Sequence, residues 1–393
     1  MSMSGVPSSE RLHIGFFGNR NSGKSSLINA LTGQNISIVS DVPGTTTDPV
    51  KKTMELLPLG PVVIIDTPGI DDVGELGFER VLRTKKILET CNIAVVVINA
   101  QKGITDFDRN LIGEIKSRKI PYIICYNKCD LNTCDAGENE ICVSAKTGMN
   151  IDLLKNKLAS FADTKKEKYI IRHMLTKGDV VVLVIPIDSS APKGRIILPQ
   201  QQTLREVLDA GGVCICVQPD ELSGVIKKYD TEIKVVITDS QVFGKVSEIV
   251  PPYIYLTSFS ILMMNYKGEL DSGAENVKVI NELKDGDKVL IAEGCTHHRQ
   301  CNDIGTVKLP NLIRKTTGAN VEFDFTSGGD FPEDLSSYKL IIHCGGCMLT
   351  EQEVKKRLSR ANEKDIPMTN YGMALAYMNG ILERSLEFLR KRR

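Results

Sequence analysis

The chain has 393 residues, room for two or three domains with cores of their own. Its 49 basic residues are matched by 49 acidic ones, and the zero net charge argues against general binding to nucleic acid or anionic membranes. No apolar run approaches the roughly 20 residues that span a bilayer, and the first ten residues are polar with no signal-peptide core. The eleven cysteines are therefore expected as reduced thiols or metal ligands in a cytoplasmic protein rather than as disulfides.

In chain order, residues 12–17 form an apolar run that predicts a buried strand. It leads into Gly18-Asn19-Arg20-Asn21-Ser22-Gly23-Lys24-Ser25, and a helical pattern opens at Ser26. Strand, GxxxxGK[ST] and helix is the context a phosphate-binding loop requires. The loop wraps so that its backbone N–H groups, from Gly18 to Ser26, face phosphates. Lys24 reaches the β- and γ-phosphates, and Ser25 offers its hydroxyl to Mg²⁺. Pro43-Gly44-Thr45-Thr46-Thr47-Asp48 supplies hydroxyls in a switch-like loop. Thr46 is assigned to Mg²⁺, with Thr45 as the neighbouring candidate.

Residues 62–65 read as a strand ending in Asp66-Thr67-Pro68-Gly69. There Asp66 holds Mg²⁺ through water and the Gly69 amide senses the γ-phosphate. Strands at 93–98 and 122–125 follow, the second delivering Asn127-Lys128-Cys129-Asp130. The Asp130 carboxylate accepts two bonds from the guanine edge, which adenine does not offer. Asn127 and Lys128 brace the base and the loop, and Ser144-Ala145-Lys146 closes the base pocket through backbone contact. Cys125, Cys129, Cys134 and Cys142 read as small hydrophobes rather than a metal site.

The four motifs resemble the translation-factor-like small GTPases over residues 12–161. The resemblance implies GTP and Mg²⁺ as ligands and hydrolysis to GDP and phosphate, with Lys24, Thr46 and Gly69 at the reacting phosphate. Ile70 stands where Ras-like enzymes carry the glutamine that orients water, so intrinsic hydrolysis is expected to be slow. Asn21 and residues 44–48 are similar to the tRNA-modification and ribosome-assembly GTPases that use potassium. By that resemblance Asn21 helps to hold K⁺ beside the phosphates. Asp71, Asp72 and Glu75 stay open between positioning water and being solvated charges.

A charged stretch at 163–168 marks a boundary. Strands at 180–187, 213–217 and 233–237 alternate with helices at 200–210, 220–229 and 241–249, and a Pro/Ser/Gly-rich loop fills 188–195. This predicts a small α/β unit with a parallel sheet. It carries no nucleotide loop, so an interface or spacer role is expected. Cys214 and Cys216 share one face of their strand and read as core.

The last third holds a different chemistry. Residues 289–292 and 340–342 predict buried strands. The first runs into Gly294-Cys295-Thr296-His297-His298, the second into His343-Cys344-Gly345-Gly346-Cys347. Three of the five histidines and three of the eleven cysteines lie in these two stretches. Two glycines between cysteines let both sulfurs face one point, and converging thiolates bind a soft metal or cluster. If the strands are parallel neighbours, joined through a helix at 312–317, both groups lie beyond carboxyl ends of one sheet and converge. Ligand types alone leave zinc, as a Cys₃His site, and iron–sulfur equal. His298 and Cys301 lie nearby without matching the motif. The tail shows two helical patterns separated by residues 366–372.

The split Cys/His signature, together with the GTPase motifs, resembles the HydF family of hydrogenase-maturation GTPases across the whole chain. That resemblance implies an α/β chain of three domains: GTP-binding over 1–165, dimerisation over 166–258, iron–sulfur over 259–393. Cys295, Cys344 and Cys347 would hold a 4Fe–4S cluster, leaving one iron with an exchangeable ligand. His297, His343 and Asp188 are its candidates for that position or for the surroundings of the cluster. The family function implied is a scaffold that carries a transient di-iron precursor. Radical-SAM hydrogenase maturases would supply it and the apo form of the FeFe-hydrogenase would receive it, with a homodimer as the working unit and GTP state regulating partner contacts. The competing reading is a ribosome- or tRNA-associated K⁺-dependent GTPase with a structural zinc module, against which the zero net charge argues.

Overall fold

Unbroken apolar runs make the centre of each sheet, as parallel strands covered on both faces require. The computed structural model describes residues 11–33, 50–67, 84, 87–131, 136–162, 168–187, 196–294, 304–328 and 330–391. They form two compact units, Met1–Glu167 and Lys168–Arg393.

In the first unit the described elements are β1 (Leu12–Phe17), α1 (Lys24–Thr32), β2 (Val50–Leu56), β3 (Gly60–Asp66), β4 (Ile93–Asn99), α2 (Asp106–Ser117), β5 (Tyr122–Asn127), β6 (Glu140–Cys142) and α3 (Ile151–Ala162). The sheet order is β2-β3-β1-β4-β5-β6. β2 runs antiparallel to β3 and the other pairs are parallel. One face of the sheet packs Ile14 and Phe16 against Leu27 of α1 and Leu154 of α3. The other packs Phe17 and Ile65 against Leu111 and Ile115 of α2. α2 starts cleanly because Thr105 and Asp108 form a reciprocal capping box.

The second unit holds two four-stranded sheets. β7 (Val180–Val184), α4 (Leu198–Asp209), β8 (Val213–Val217), α5 (Leu222–Tyr229), β9 (Ile233–Thr238), α6 (Phe243–Ile249) and β10 (Tyr255–Ser258) build the first, in order β10-β9-β7-β8. α7 (Phe259–Lys267) and α8 (Leu270–Asn276) lead to β11 (Lys288–Ala292), α9 (Leu309–Thr317), β12 (Glu322–Thr326), β13 (Leu340–His343), α10 (Glu351–Asn362), β14 (Met368–Asn370), α11 (Tyr371–Met378) and α12 (Leu382–Arg390). These strands form the second sheet, in order β12-β11-β13-β14. Both sheets are parallel throughout. One hydrophobic core runs from Ile170 to Leu389 and serves both. α7 is apolar nearly all round because it is buried in that core.

The parallel middle sheet is as predicted, and β11 and β13 are parallel neighbours, Ala292 opposite His343. Five described strands escape the sequence reading: β2, β6, β10, the edge strand β12, and β14, hidden between the two helical patterns of the tail. The tail carries three helices where two were predicted. β7 ends at Val184, and Ile187 beyond it is 80 % exposed. Cys216 is exposed and Cys214 half-buried, so the core reading fails for Cys216: on the edge strand β8 the face the two cysteines share is only partly covered. Cys142 is disulfide-bonded, against the expectation of reduced thiols, and its partner lies outside the described residues. No helix among the described residues is long and apolar enough to cross a membrane.

Candidate functional sites: a phosphate loop and a thiol loop at strand ends

In the first sheet the chain leaves β1 towards β3 on one side and β4 on the other. A crevice opens beyond the carboxyl ends where connections diverge in this way. The phosphate loop occupies it, beside a cavity of about 240 Å³ lined by Asn19, Arg20, Ser22, Asn99, Lys102 and Asp108 among others.

Lys24 is buried, its Nζ donating to the carbonyls of Gly18 (2.8 Å) and Asn19 (3.0 Å). Ser25 Oγ donates to Asp66 Oδ2 at 2.9 Å. Burial pushes the Asp66 carboxyl up, while the Ser25 hydrogen bond and the Lys24 charge pull it back. Asp66 Oδ1 is buried without a hydrogen-bond partner. A hydroxyl and a carboxylate held together, with one buried oxygen left over, fit Mg²⁺, a hard cation that takes oxygen ligands.

The guanine side is tied to the same loop. Asn127 Nδ2 donates to Ser22 O (3.1 Å), and its Oδ1 accepts from the Ala145 amide (3.1 Å). Lys128 Nζ donates to Asn21 O at 2.9 Å, and Asn21 adopts the left-handed conformation at φ 61°. Ser144 Oγ donates to Asp130 Oδ1 at 2.7 Å. Asn127, Lys128, Asp130, Ser144 and Ala145 therefore converge with Asn21 to Ser25, whereas Ser26 and Lys146 are exposed. Asn19 turns away from the loop: its Nδ2 donates to Thr105 Oγ1 (2.8 Å) and Asp108 Oδ2 (3.1 Å). Sequence reasoning missed this tie to α2, although Thr105 followed three residues on by Asp108 is a legible cap. Cys125 and Cys129 are buried, as read. Thr45, Thr46 and Gly69 lie outside the described residues.

The last sheet repeats the divergence. From β11 the chain passes to β12 on one side, then to β13 on the other, so the crevice falls between β11 and β13. Glu293 and Gly294 follow β11; Cys344 follows β13. The Gly294 amide donates to Cys344 Sγ at 3.0 Å, and the Gly346 amide reaches the same sulfur at 3.4 Å. Glycine at 294 leaves room for this approach: an added Cβ would stand 2.9 Å from Leu349 Cγ and 3.5 Å from Cys344 Sγ, so Leu349 would have to shift. Gly346 takes φ 64°, the turn that brings the Cys344–Cys347 loop round.

Burial pushes the Cys347 thiol up to about 11; Cys344 adds to the rise and Lys267 opposes it. Amide donors aimed at sulfur and a thiol kept from water suit a bound soft metal or cluster, whose properties such hydrogen bonds tune. His343 is buried, with Nδ1 2.7 Å from Cys344 O and Nε2 2.9 Å from Arg357 Nη1. Buried Glu293 accepts from Tyr371 Oη at 3.0 Å. Neither Arg357 nor Glu293 was singled out in the sequence. Cys295, His297 and Asp188 lie outside the described residues, and among the described residues no three metal-ligating side chains cluster.

The fold and these residues define a P-loop GTPase domain followed by two small parallel α/β sheets on one core. Comparison with known proteins gives the rest. A family model for a 50S ribosome-binding GTPase matches residues 13–128. The model of the hydrogen maturase F dimerization domain matches residues 170–268, and that of its tetramerization domain residues 271–388. The chain belongs to the HydF family.

Among curated proteins, GTPase Der of Wolinella succinogenes is 36% identical over 165 residues, 37% of this chain and 35% of its own length. The tRNA modification GTPase MnmE of Dechloromonas aromatica is 33% identical over 161 residues, 38% of this chain and 35% of its own. The chain thus spans about a third of the length of these curated relatives. Among solved structures, a probable GTP-binding protein engB is 24% identical, with 39% of this chain and all of that one covered, at a TM-score of 0.33.

Proposed function

We propose that this chain is a GTPase and iron–sulfur scaffold of FeFe-hydrogenase maturation, with GTP-binding, dimerisation and cluster-binding domains over 1–165, 166–258 and 259–393. In the first unit Lys24 and the loop amides hold the phosphates of GTP. Ser25 and Asp66, with Thr46 (or Thr45), hold Mg²⁺, and the Gly69 amide reads the γ-phosphate. Asn21 places K⁺ where charge develops during slow hydrolysis. The open edge of β8, with Val213 exposed, is the surface offered to a second copy. A cytoplasmic setting is in keeping with the reduced thiols of Cys91, Cys125, Cys214 and Cys216, while the Cys142 disulfide stands against it.

One observation carries the cluster reading. The Gly294 amide already lies 3.0 Å from Cys344 Sγ, and Cys295 is the next residue along the chain. Cys295, Cys344 and Cys347 would hold the 4Fe–4S cluster, with His297, His343 and Asp188 as the candidates for the fourth iron or for the surroundings of the cluster. The cluster, when bound, supplies an iron whose oxygen or nitrogen ligand is displaced more readily than thiolate. A di-iron precursor from the radical-SAM maturases could dock there and later pass to the apo-hydrogenase. The protein's part is to hold the cluster through thiolates and amide hydrogen bonds, and to exclude water.

Metal and sulfide analysis after anaerobic purification tests this. Iron and sulfide should be present with zinc low, and Cys344→Ala should remove the chromophore while GTP turnover stays within about twofold of native, since turnover belongs to separate groups. One equivalent of zinc, with no iron–sulfide uptake on reconstitution, would overturn the scaffold. Activation of apo-hydrogenase by the loaded chain separates a carrier from a redox sensor.

A further inference from the structure

Arg357 of α10 points inward, not to solvent: it is 5 % exposed. Its Nη1 donates to His343 Nε2 at 2.9 Å and its Nη2 to Gly328 O at 2.6 Å. The guanidinium lies over the Phe331 ring, 5.0 Å from the centroid. On the far side of the imidazole, Nδ1 is 2.7 Å from Cys344 O.

A carbonyl only accepts and a guanidinium only donates. Nδ1 must therefore carry the proton and Nε2 must present its lone pair to Arg357. The ring is neutral and both nitrogens are engaged, in a side chain only 2 % exposed. Turning either nitrogen to a metal would strand a buried partner, Arg357 Nη1 or Cys344 O. The guanidinium also lies within electrostatic reach of Cys344, as Lys267 does of Cys347.

We propose that Arg357 is the positioning residue of the thiol loop: it holds His343 as a clamp on the Cys344 carbonyl, keeps that histidine off the metal, and sets a fixed positive charge beside the Cys344 sulfur. A guanidinium stays charged at any working pH, so it favours the more reduced, more anionic state of whatever the thiolates hold. This rests on the cluster reading only for its electrochemical consequence; the clamp itself is a property of the polypeptide.

The experiment uses the full chain in two forms. In the metal-free protein with ¹⁵N-labelled histidine, the resonances lost in His343→Asn should be those of a neutral Nδ1–H tautomer. After anaerobic iron–sulfide reconstitution, EPR-monitored titrations compare native protein with Arg357→Gln, which keeps an amide donor without charge, and Arg357→Lys, which keeps the charge. R357Q should lower the reduction equilibrium constant about tenfold, equivalent to about 59 mV for a one-electron couple, and R357K should restore it. The proposal is overturned by an Nε2–H tautomer, by imidazole-nitrogen coupling to the reduced cluster that vanishes in H343N, or by R357Q at the native potential. A chain that takes up no iron sinks the cluster reading, and the tautomer still decides the clamp. Should R357Q not fold, a native potential in R357K beside a Nδ1–H tautomer supports the proposal, and a potential lowered as R357Q's should be overturns it.

Discussion

The ends of β1 and β11 occupy equivalent places in two sheets and hold opposite chemistry. Each strand sends the chain to one neighbour and then to the other, opening a crevice at its carboxyl end. Beyond β1 the crevice is lined by hard donors: loop amides, a buried lysine, and a hydroxyl paired with a carboxylate. Beyond β11 it is lined by two sulfurs, amides aimed at one of them, and a buried arginine acting through histidine. The middle sheet has the same divergence at β7, and there α4 and the end of β9 bring Gln200 Nε2 to 2.7 Å from Asp239 Oδ2, with neither phosphate loop nor thiols. Topology supplies the crevice in all three; the residues on the following loop decide what enters it.

If that division holds, the two filled crevices should fail separately. Lys24→Ala should cost about 10²–10³ in GTP turnover, the range for removing a donor to developing negative charge. Iron content should be unchanged, as read by phosphate release beside iron analysis. Iron lost together with turnover would mean that the two sites are not independent. Asn127→Ala removes one of the two ties between the phosphate loop and the base loop, leaving that of Lys128, and strands the Ala145 amide without its acceptor. With about 1–3 kcal/mol for each group stranded, nucleotide affinity should fall tenfold or more in a fluorescent-GDP titration.

On the thiol side, Gly294→Ala forces a methyl against Leu349, and overpacking of that kind costs about 1–3 kcal/mol. Iron uptake and the melting temperature should both drop while GTP turnover does not. Full iron loading in G294A would show that the approach of β11 to Cys344 is dispensable.

The phosphate crevice was legible before the structure because its grammar is local: one loop of eight residues carries most of the chemistry. Asn127 and Asp130 are separate in sequence yet lie where the motif order places them. The thiol crevice was legible only as two halves. That their strands lie side by side depends on β11 pairing with β13 rather than only with β12, a long-range choice no short window contains. Arg357 was invisible for the same reason. In an amphipathic helix such as α10 an arginine reads as a solvated charge, and its burial is set by packing against Phe331 and His343. β12 and β14 were missed because an edge strand is half polar and a three-residue strand is too short for its period to show. Cys216 was misread because alternation tells which face a residue shares, not whether anything covers that face.

That exposed cysteine sets the smallest test and concerns the crevice-free edge of the middle sheet. The Cys214 thiol, donating to the Cys216 sulfur, pulls Cys216 down to about 7, with burial opposing. The thiolate, the reactive form, is thus present above pH 7 and lost as pH falls through it. Burial holds Cys91 up at about 12 and raises Cys125 as well, so Cys216 should alkylate ahead of both, with a rate midpoint near pH 7 by peptide mapping. Cys214→Ala removes the donor, and the midpoint should rise towards the ordinary thiol value of about 8.5, cutting the rate at pH 7 about tenfold. If β8 edges pair between copies, diluting the protein should speed the reaction as the edge opens. A rate indifferent to concentration, across a range where sedimentation shows the oligomer dissociating, would move the interface to another surface.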